Sequence, residues 1–282
     1  MTTTTKKLNI AVDRLYLYYL KCEINGAIVQ SRTVTRVNKM SEEKNRKKGK
    51  CSKMRSCETE EGIYEIPALD FRLETPCTIY FAGPSGSGKT TLLFKLLRKR
   101  DQIFKGGPFH VIYYCLDKTE EFEKNEHLVD EWIKEVPTAD SVRDKAEMYQ
   151  KSGGCIVDID DLCDDLEQNI AKLFTVYSHH YSITVILLNQ SLFVKKDWFR
   201  RILENITHTV IFKNNKDKRQ FAYFAMKFAP GHWKYLQQAY EKYSDTPYSY
   251  LWFDSHQTTP PELSVKTKIF EEYPVVILEN KK

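Results

Sequence analysis

From residue 63 onward the chain alternates between short apolar runs and longer segments whose apolar residues recur every three or four positions. The first kind reads as buried strand, the second as amphipathic helix. Strands are predicted at 77–82 (CTIYFA), 110–116 (HVIYYCL), 155–159, 183–188 (ITVILL) and 208–213, with edge strands at 248–254 and 275–278. Helices are predicted at 89–100, 120–135, 138–150, 198–206, Lys218–Phe228 and Trp233–Tyr243. In the first of these, Leu92, Leu93, Leu96 and Leu97 share a face above a basic C-terminal end that suits the helix dipole. A further helix over 166–180 places Leu166, Ile170, Leu173, Phe174 and Tyr177 on one side. Strands that are apolar throughout and alternate with helices imply an α/β fold with a mostly parallel central sheet flanked by helices. Ligands of such sheets gather at the C-terminal edge of the strands, and the chemistry-bearing residues fall there.

The strongest of these signals is Gly83-Pro84-Ser85-Gly86-Ser87-Gly88-Lys89-Thr90, a full match to G-x-x-x-x-G-K-[ST], followed by Thr91. Its glycines let successive N–H groups turn inward on a phosphate chain, and the following helix adds its positive end. Lys89 is placed to reach the β and γ phosphates and Thr90 to ligate magnesium. The loop lies between a predicted strand and a basic amphipathic helix, the context the motif requires, so the domain is expected to be a P-loop NTPase.

The strand at 155–159 runs into Asp158, Asp160 and Asp161, where such proteins keep the second magnesium-holding acid. Asp160 is assigned to the metal through water and Asp161 to orienting the attacking water. Asp158 shares a face with Asp160 at a period of two, so it is an alternative metal-side acid or a salt-bridged strand residue. The same cluster also reads as an acidic strand end capping the next segment, where Asp164 and Asp165 lie. The strand at 183–188 leads into Asn189-Gln190, a position from which an amide can sense the γ phosphate, or merely leave a buried strand. One strand, 110–116, separates the loop strand from the acidic strand in sequence, which fits the additional-strand (ASCE) ATPases rather than nucleotide kinases or GTPases. Asn215-Lys216-Asp217 falls short of the guanine-reading N-K-x-D motif, which favours ATP. His179 and His180 are adjacent rather than at metal-ligand spacing. Lys195-Lys196 and the stretch 213–219 are basic loops near the same edge, read as solvated surface or as contacts to a phosphate backbone.

Composition refines this picture without changing it. Of 282 residues, 41% are hydrophobic and 29% charged, ordinary globular usage. No run approaches the roughly 18 apolar residues of a membrane span. Seven cysteines, odd in number and scattered, argue for free thiols in a reducing compartment, hence a soluble intracellular protein. The net charge of +5 is unevenly spread: residues 1–57 carry 14 Lys and Arg against 4 Asp and Glu, which leaves the remainder net acidic. Residues 1–62 read as a separate basic extension, partly disordered, with the ATPase domain over 63–282. Within the extension Asn25-Gly26 separates two apolar stretches in the manner of a hairpin, and residues 37–62 read as a polar linker. The run Lys44 to Lys50 is a solvated linker, a nucleic-acid contact or a targeting signal.

Taken together, these motifs resemble those of the viral genome-packaging ATPases of the FtsK–HerA superfamily. The likeness is nearest to the Maverick/Polinton and adintovirus type, related to the poxvirus DNA-packaging ATPase. It spans about residues 63–270. It rests on the 83–90 loop, on Ile159-Asp160-Asp161-Leu162, and on Tyr177-Ser178-His179-His180 followed by VILLNQSLF over 185–193. Asn205, Phe212-Lys213-Asn214, Asp217, Tyr248-Ser249-Tyr250-Leu251 before Asp254, and the stretch Thr267 to Phe270 extend it. The resemblance implies an ATP- and Mg2+-dependent motor, a homo-oligomeric ring that drives double-stranded DNA, without sequence preference, into a capsid through a capsid or portal-vertex protein. It implies action at the host nucleus or a cytoplasmic assembly site, or association with the virion. By position it gives Lys89, Asp161 and Gln190 catalytic roles and Thr90 and Asp160 the metal. It also calls for an arginine from a neighbouring subunit. Arg200 is the first choice for that arginine, with Arg201 and Arg219 behind it. The family's Pro-Arg-Asp reads Asn215-Lys216-Asp217 here, and two arginines near the C-terminus read Ser264 and Lys266. Alternatives are a DNA-pumping or helicase-like ATPase without a capsid, and a nucleotide-binding scaffold that has lost turnover.

Overall fold

The apolar runs become the strands of one sheet in the computed structural model, which describes residues 21–24, 27–30, 70–243, 246–271 and 274–278. The parallel part comprises β3 (Thr78–Ala82), β4 (His110–Tyr114), β5 (Glu131–Ile133), β6 (Cys155–Asp160), β7 (Ile183–Asn189) and β8 (His208–Phe212). Antiparallel β9 (Tyr250–Asp254), β10 (Val265–Thr267) and β11 (Val275–Val276) extend it. Beyond them lie β1 (Lys21–Ile24) and β2 (Ala27–Gln30), which pair antiparallel with Ile24 opposite Ala27, while the turn expected at Asn25-Gly26 lies outside the described residues. The order is β2-β1-β11-β10-β9-β8-β3-β7-β6-β4-β5. The expected linker at 37–62 and the domain boundary at 62 lie outside the described residues.

Strand pleating sends alternate residues to opposite faces, and each face carries its own core. Ile79, Phe81, Ile186 and Leu188 pack beneath α1 (Lys89–Arg98) and α3 (Glu120–Asn125), against Leu93, Leu97 and Phe122. Tyr80, Val157, Val185 and Leu187 face the other way, toward α4 (Ala139–Glu147), α6 (Phe199–Glu204), α7 (Lys218–Phe228) and α8 (Trp233–Tyr243). All five residues of β3 are buried, as are all seven of β7, which is why these strands read as unbroken apolar runs. Short polar caps set the helix starts. Thr138 and Ser141 form a reciprocal capping box on α4, and the Asp217 carboxylate accepts from Arg219 N and Gln220 N at α7.

Four expectations need correction. The acidic segment 120–135 is not one helix. Helix α3 ends at Asn125, and Glu131–Ile133 joins the sheet beside β4, with Trp132 turned outward and Glu131 held by His110 and Lys145. A three-residue edge strand that opens on a charge has too little apolar pattern to announce itself. The helix expected over 166–180 is broken into a 3₁₀ turn at Gln168–Ile170, a π turn at Leu173–Tyr177 and α5 (Ser178–His180). The predicted helix at 89–100 divides into α1 and α2 (Arg100–Ile103). Neither 248–254 nor 275–278 is an edge. β9 lies between β8 and β10, and β11 between β10 and β1. Among the described residues no helix is long and apolar enough to cross a membrane.

Candidate nucleotide-binding site

The loop at 83–88 leaves β3 at the sheet's C-terminal edge and turns directly into α1. Gly83 is buried, and its N–H bonds Asn189 O at 3.2 Å, which fixes the loop's first residue to the end of β7. A Cβ on Gly83 would stand 2.6 Å from Phe212 Cβ, so only glycine fits there. Gly86 and Gly88 have φ of 74° and 95°, the left-handed region that turns the chain around a concave row of amides. Ser87 Oγ is buried without a partner beside this cradle. A glycine-lined hollow with an orphaned hydroxyl at a helix start fits a phosphate chain.

Lys89 is 8% exposed, and its ammonium donates to Gly83 O at 2.8 Å and Pro84 O at 3.2 Å. Burial holds its pKa below the ordinary lysine value, opposed by the charges of Asp160 and Asp161. The neighbouring Thr90 donates from Oγ1 to Asp160 Oδ2 at 3.3 Å. Tyr113 Oη donates to the same oxygen at 2.5 Å, and its ring stacks on Phe94 of α1. Burial raises the Asp160 pKa, and the Tyr113 hydroxyl is the main influence restraining the rise. Asp160 Oδ2 thus lies where a loop hydroxyl and a strand carboxylate could share a divalent cation.

Asp158 behaves differently. It is fully buried, neither carboxyl oxygen has a partner, and burial together with the nearby Asp160 charge lifts its pKa well above the usual carboxylate range. It faces Tyr113 on β4 and Ile186 on β7, one pleat back from Asp160, and makes no salt bridge. Asp161 follows in the left-handed conformation at φ 57°, which turns its side chain out at the sheet edge. Gln190 Nε2 donates to Asp161 Oδ2 at 2.8 Å. Asn189 serves the scaffold instead, donating to Tyr80 Oη at 3.0 Å and Ser191 O at 2.9 Å.

Lys89, Thr90, Asp160, Asp161 and Gln190 therefore converge. Arg200 does not join them: it is exposed on α6, bonds Glu204 Oε1 at 2.8 Å, and lines a groove with Phe193, Tyr223 and Phe228. Arg201 and Arg219 are also exposed. Lys196 is turned inward, donating to the carbonyls of Cys163, Asp164 and Leu166, so it braces the segment after β6. One residue at the site was not singled out from the sequence, and another was named there only for other reasons. Tyr113 was legible only as part of an apolar strand, whereas Tyr248, which packs on Gly88, was named in the Tyr248–Leu251 match and as one of several tyrosines able to stack on bases, with no link to the loop.

The order β8-β3-β7-β6-β4, with the phosphate-type loop after β3 and the acids after β6, is that of the additional-strand P-loop NTPases. Strand β7 is the addition between the loop strand and the acidic strand. No family model and no curated protein matches the sequence. Among solved structures, the chain is similar to B204, the DNA-packaging ATPase from Sulfolobus Turreted Icosahedral Virus, at 13% identity and a TM-score of 0.46, covering 68% of this chain and 96% of that one. The genome packaging NTPase B204 from Sulfolobus turreted icosahedral virus 2 in complex with AMPPCP gives 14% identity, a TM-score of 0.46 and coverage of 68% and 96%. ATPases 2 and 3 of EccC from Thermomonospora curvata, in complex with a signal sequence peptide, give 14% identity, 0.39, and coverage of 56% and 32%. The class of the fold follows from the strand order and the loop, independently of these distant likenesses.

Proposed function

We propose that this protein is a Mg2+-dependent ATPase, a homo-oligomeric motor that drives double-stranded DNA into a capsid. The observation that carries the nucleotide part is the approach of Thr90 Oγ1 to Asp160 Oδ2 directly beneath the glycine loop. The loop amides and Lys89 hold the phosphates, and Thr90 with Asp160 holds the cation. When bound, that cation neutralises charge on the β and γ oxygens. Asp161 orients the attacking water and accepts its proton, and Gln190 fixes the carboxylate in place through its amide. The missing partner is a cation supplied by the next subunit, for which exposed Arg200 is the candidate.

The DNA and capsid roles rest on the joint order of the motifs, above all the 83–90 loop, Ile159–Leu162 and the 177–193 stretch. Purified protein should hydrolyse ATP with Mg2+, faster when double-stranded DNA is added, with DNA affinity falling steeply as salt rises. ATP bound without turnover at any protein concentration would favour the scaffold reading. Turnover indifferent to DNA would leave an ATPase of another kind.

A further inference from the structure

A cavity of about 290 Å3 opens beside the loop, near the lower bound of about 300 Å3 for small-ligand pockets. One wall is the start of α1, from Gly88 and Thr91 to Lys95. Segments 246–250 and 267–271, from the far end of the sequence, supply the rest, including Tyr248 and Lys268. Tyr248 is unusual in two ways. It is 72% exposed, and its φ of 63° is a left-handed conformation rare for a bulky side chain. Strain of that kind persists only where surrounding structure holds it. Here the ring is seated on Gly88: a Cβ at that glycine would lie 3.0 Å from Tyr248 Cδ1 and 3.3 Å from Tyr248 Cβ. The final glycine of the loop thus makes room for an aromatic plane whose remaining surface faces solvent.

The direction of a bound phosphate chain decides what reaches this plane. Lys89 and Thr90 engage the β and γ end. The chain must leave the loop at the opposite end, past Thr91, which is exposed and lines the cavity. The hollow on the Gln190 and Gly83 side holds only about 10 Å3, too little for a ring system. The geometry points to Tyr248 as the stacking platform for the base of a purine nucleoside triphosphate, with the cavity between α1 and 246–250 as its base subsite. This inference rests on the nucleotide reading above and adds where the base is held. Stacking is tolerant of base identity, so the tyrosine supplies affinity for a nucleoside rather than choice among purines.

The test compares ATP with inorganic tripolyphosphate, which has the phosphates and no base, each titrated calorimetrically with Mg2+ into the full chain. Tyr248→Ala should weaken ATP roughly 5- to 150-fold while tripolyphosphate stays within about twofold. Tyr248→Phe should bind both like the parent, since the ring face and not the hydroxyl makes the contact. Loss of both ligands together in Tyr248→Ala would overturn the subsite, because the tyrosine would then only buttress Gly88. An unchanged ratio of the two affinities would overturn it as well. Parent protein that binds neither ligand would remove the nucleotide reading itself, a failure distinct from an altered ratio.

Discussion

Gln190 Nε2 lies 2.8 Å from Asp161 Oδ2, tying the residue after β7 to the residue after β6 at the sheet's C-terminal edge. The two side chains are exposed, so the bond does little for the fold. It aims a carboxylate instead. Asp161→Asn should keep ATP affinity within about threefold and lower kcat about 10²- to 10⁴-fold, the range of a lost general base. Asparagine tolerates the left-handed backbone at this position as aspartate does, so the substitution isolates chemistry from folding. Gln190→Ala should cost about tenfold in kcat, and a larger loss than Asp161→Asn would reverse the assigned roles.

Lys89 joins the loop to itself through Gly83 O and Pro84 O. Its removal should therefore do more than delete a charge. Lys89→Ala is expected to reduce kcat/KM at least about 100-fold, the scale seen for loss of a preorganised donor. A steady-state ATPase assay with thermal melts alongside checks both effects, and undiminished hydrolysis would refute the site.

Asp158 and Asp160 should separate under substitution. Asp160→Asn removes the carboxylate beside Thr90 and should raise the Mg2+ concentration needed for half-maximal turnover or abolish turnover. Asp158→Asn should leave turnover intact and stabilise the protein in a pH-dependent way. The unfolded chain ionises Asp158 near 3.8, whereas burial keeps the native group protonated to much higher pH. The native state therefore holds the extra proton, and parent stability falls as pH rises above about 4, by up to about 1.4 kcal/mol per unit. Melting curves between pH 5 and 8 should show the gap between Asp158→Asn and the parent widening with pH. A constant gap would mean that Asp158 is ionised in the fold.

The loop glycines are predicted to differ in what they resist. Gly83→Ala drives a methyl group to 2.6 Å from Phe212 Cβ, and Phe212 is buried in β8 and cannot swing aside. Gly86→Ala meets nothing within 4 Å and carries only the strain of φ 74°, on the order of 1–2 kcal/mol. Calorimetric melting temperatures should fall further for Gly83→Ala, with ATP affinity lost in parallel. Equal or reversed losses would count against the packing of β3 on β8.

The sequence by itself determined the loop, its strand and helix, and the pair Asp160-Asp161, because each is a local pattern: an apolar run, fixed glycine spacing, polar residues at a strand end. It also foretold five of the six parallel strands, whose burial on both faces leaves an apolar imprint. The short strand Glu131–Ile133 left none, since three residues opening on a glutamate inside an acidic segment resemble a loop or a helix. Only the tertiary structure could distinguish Asp158 from Asp160, which share a face at a period of two. The difference comes from one pleat of depth, from β4 and β7 flanking Asp158 on both sides, and from Thr90 and Tyr113 reaching Asp160. Tyr248 and Gly88 are 160 positions apart, and their contact follows from β9 pairing antiparallel with β8, which brings the start of β9 to the loop's edge of the sheet. Pairing order is a long-range outcome of which apolar faces bury one another best, and no local pattern encodes it.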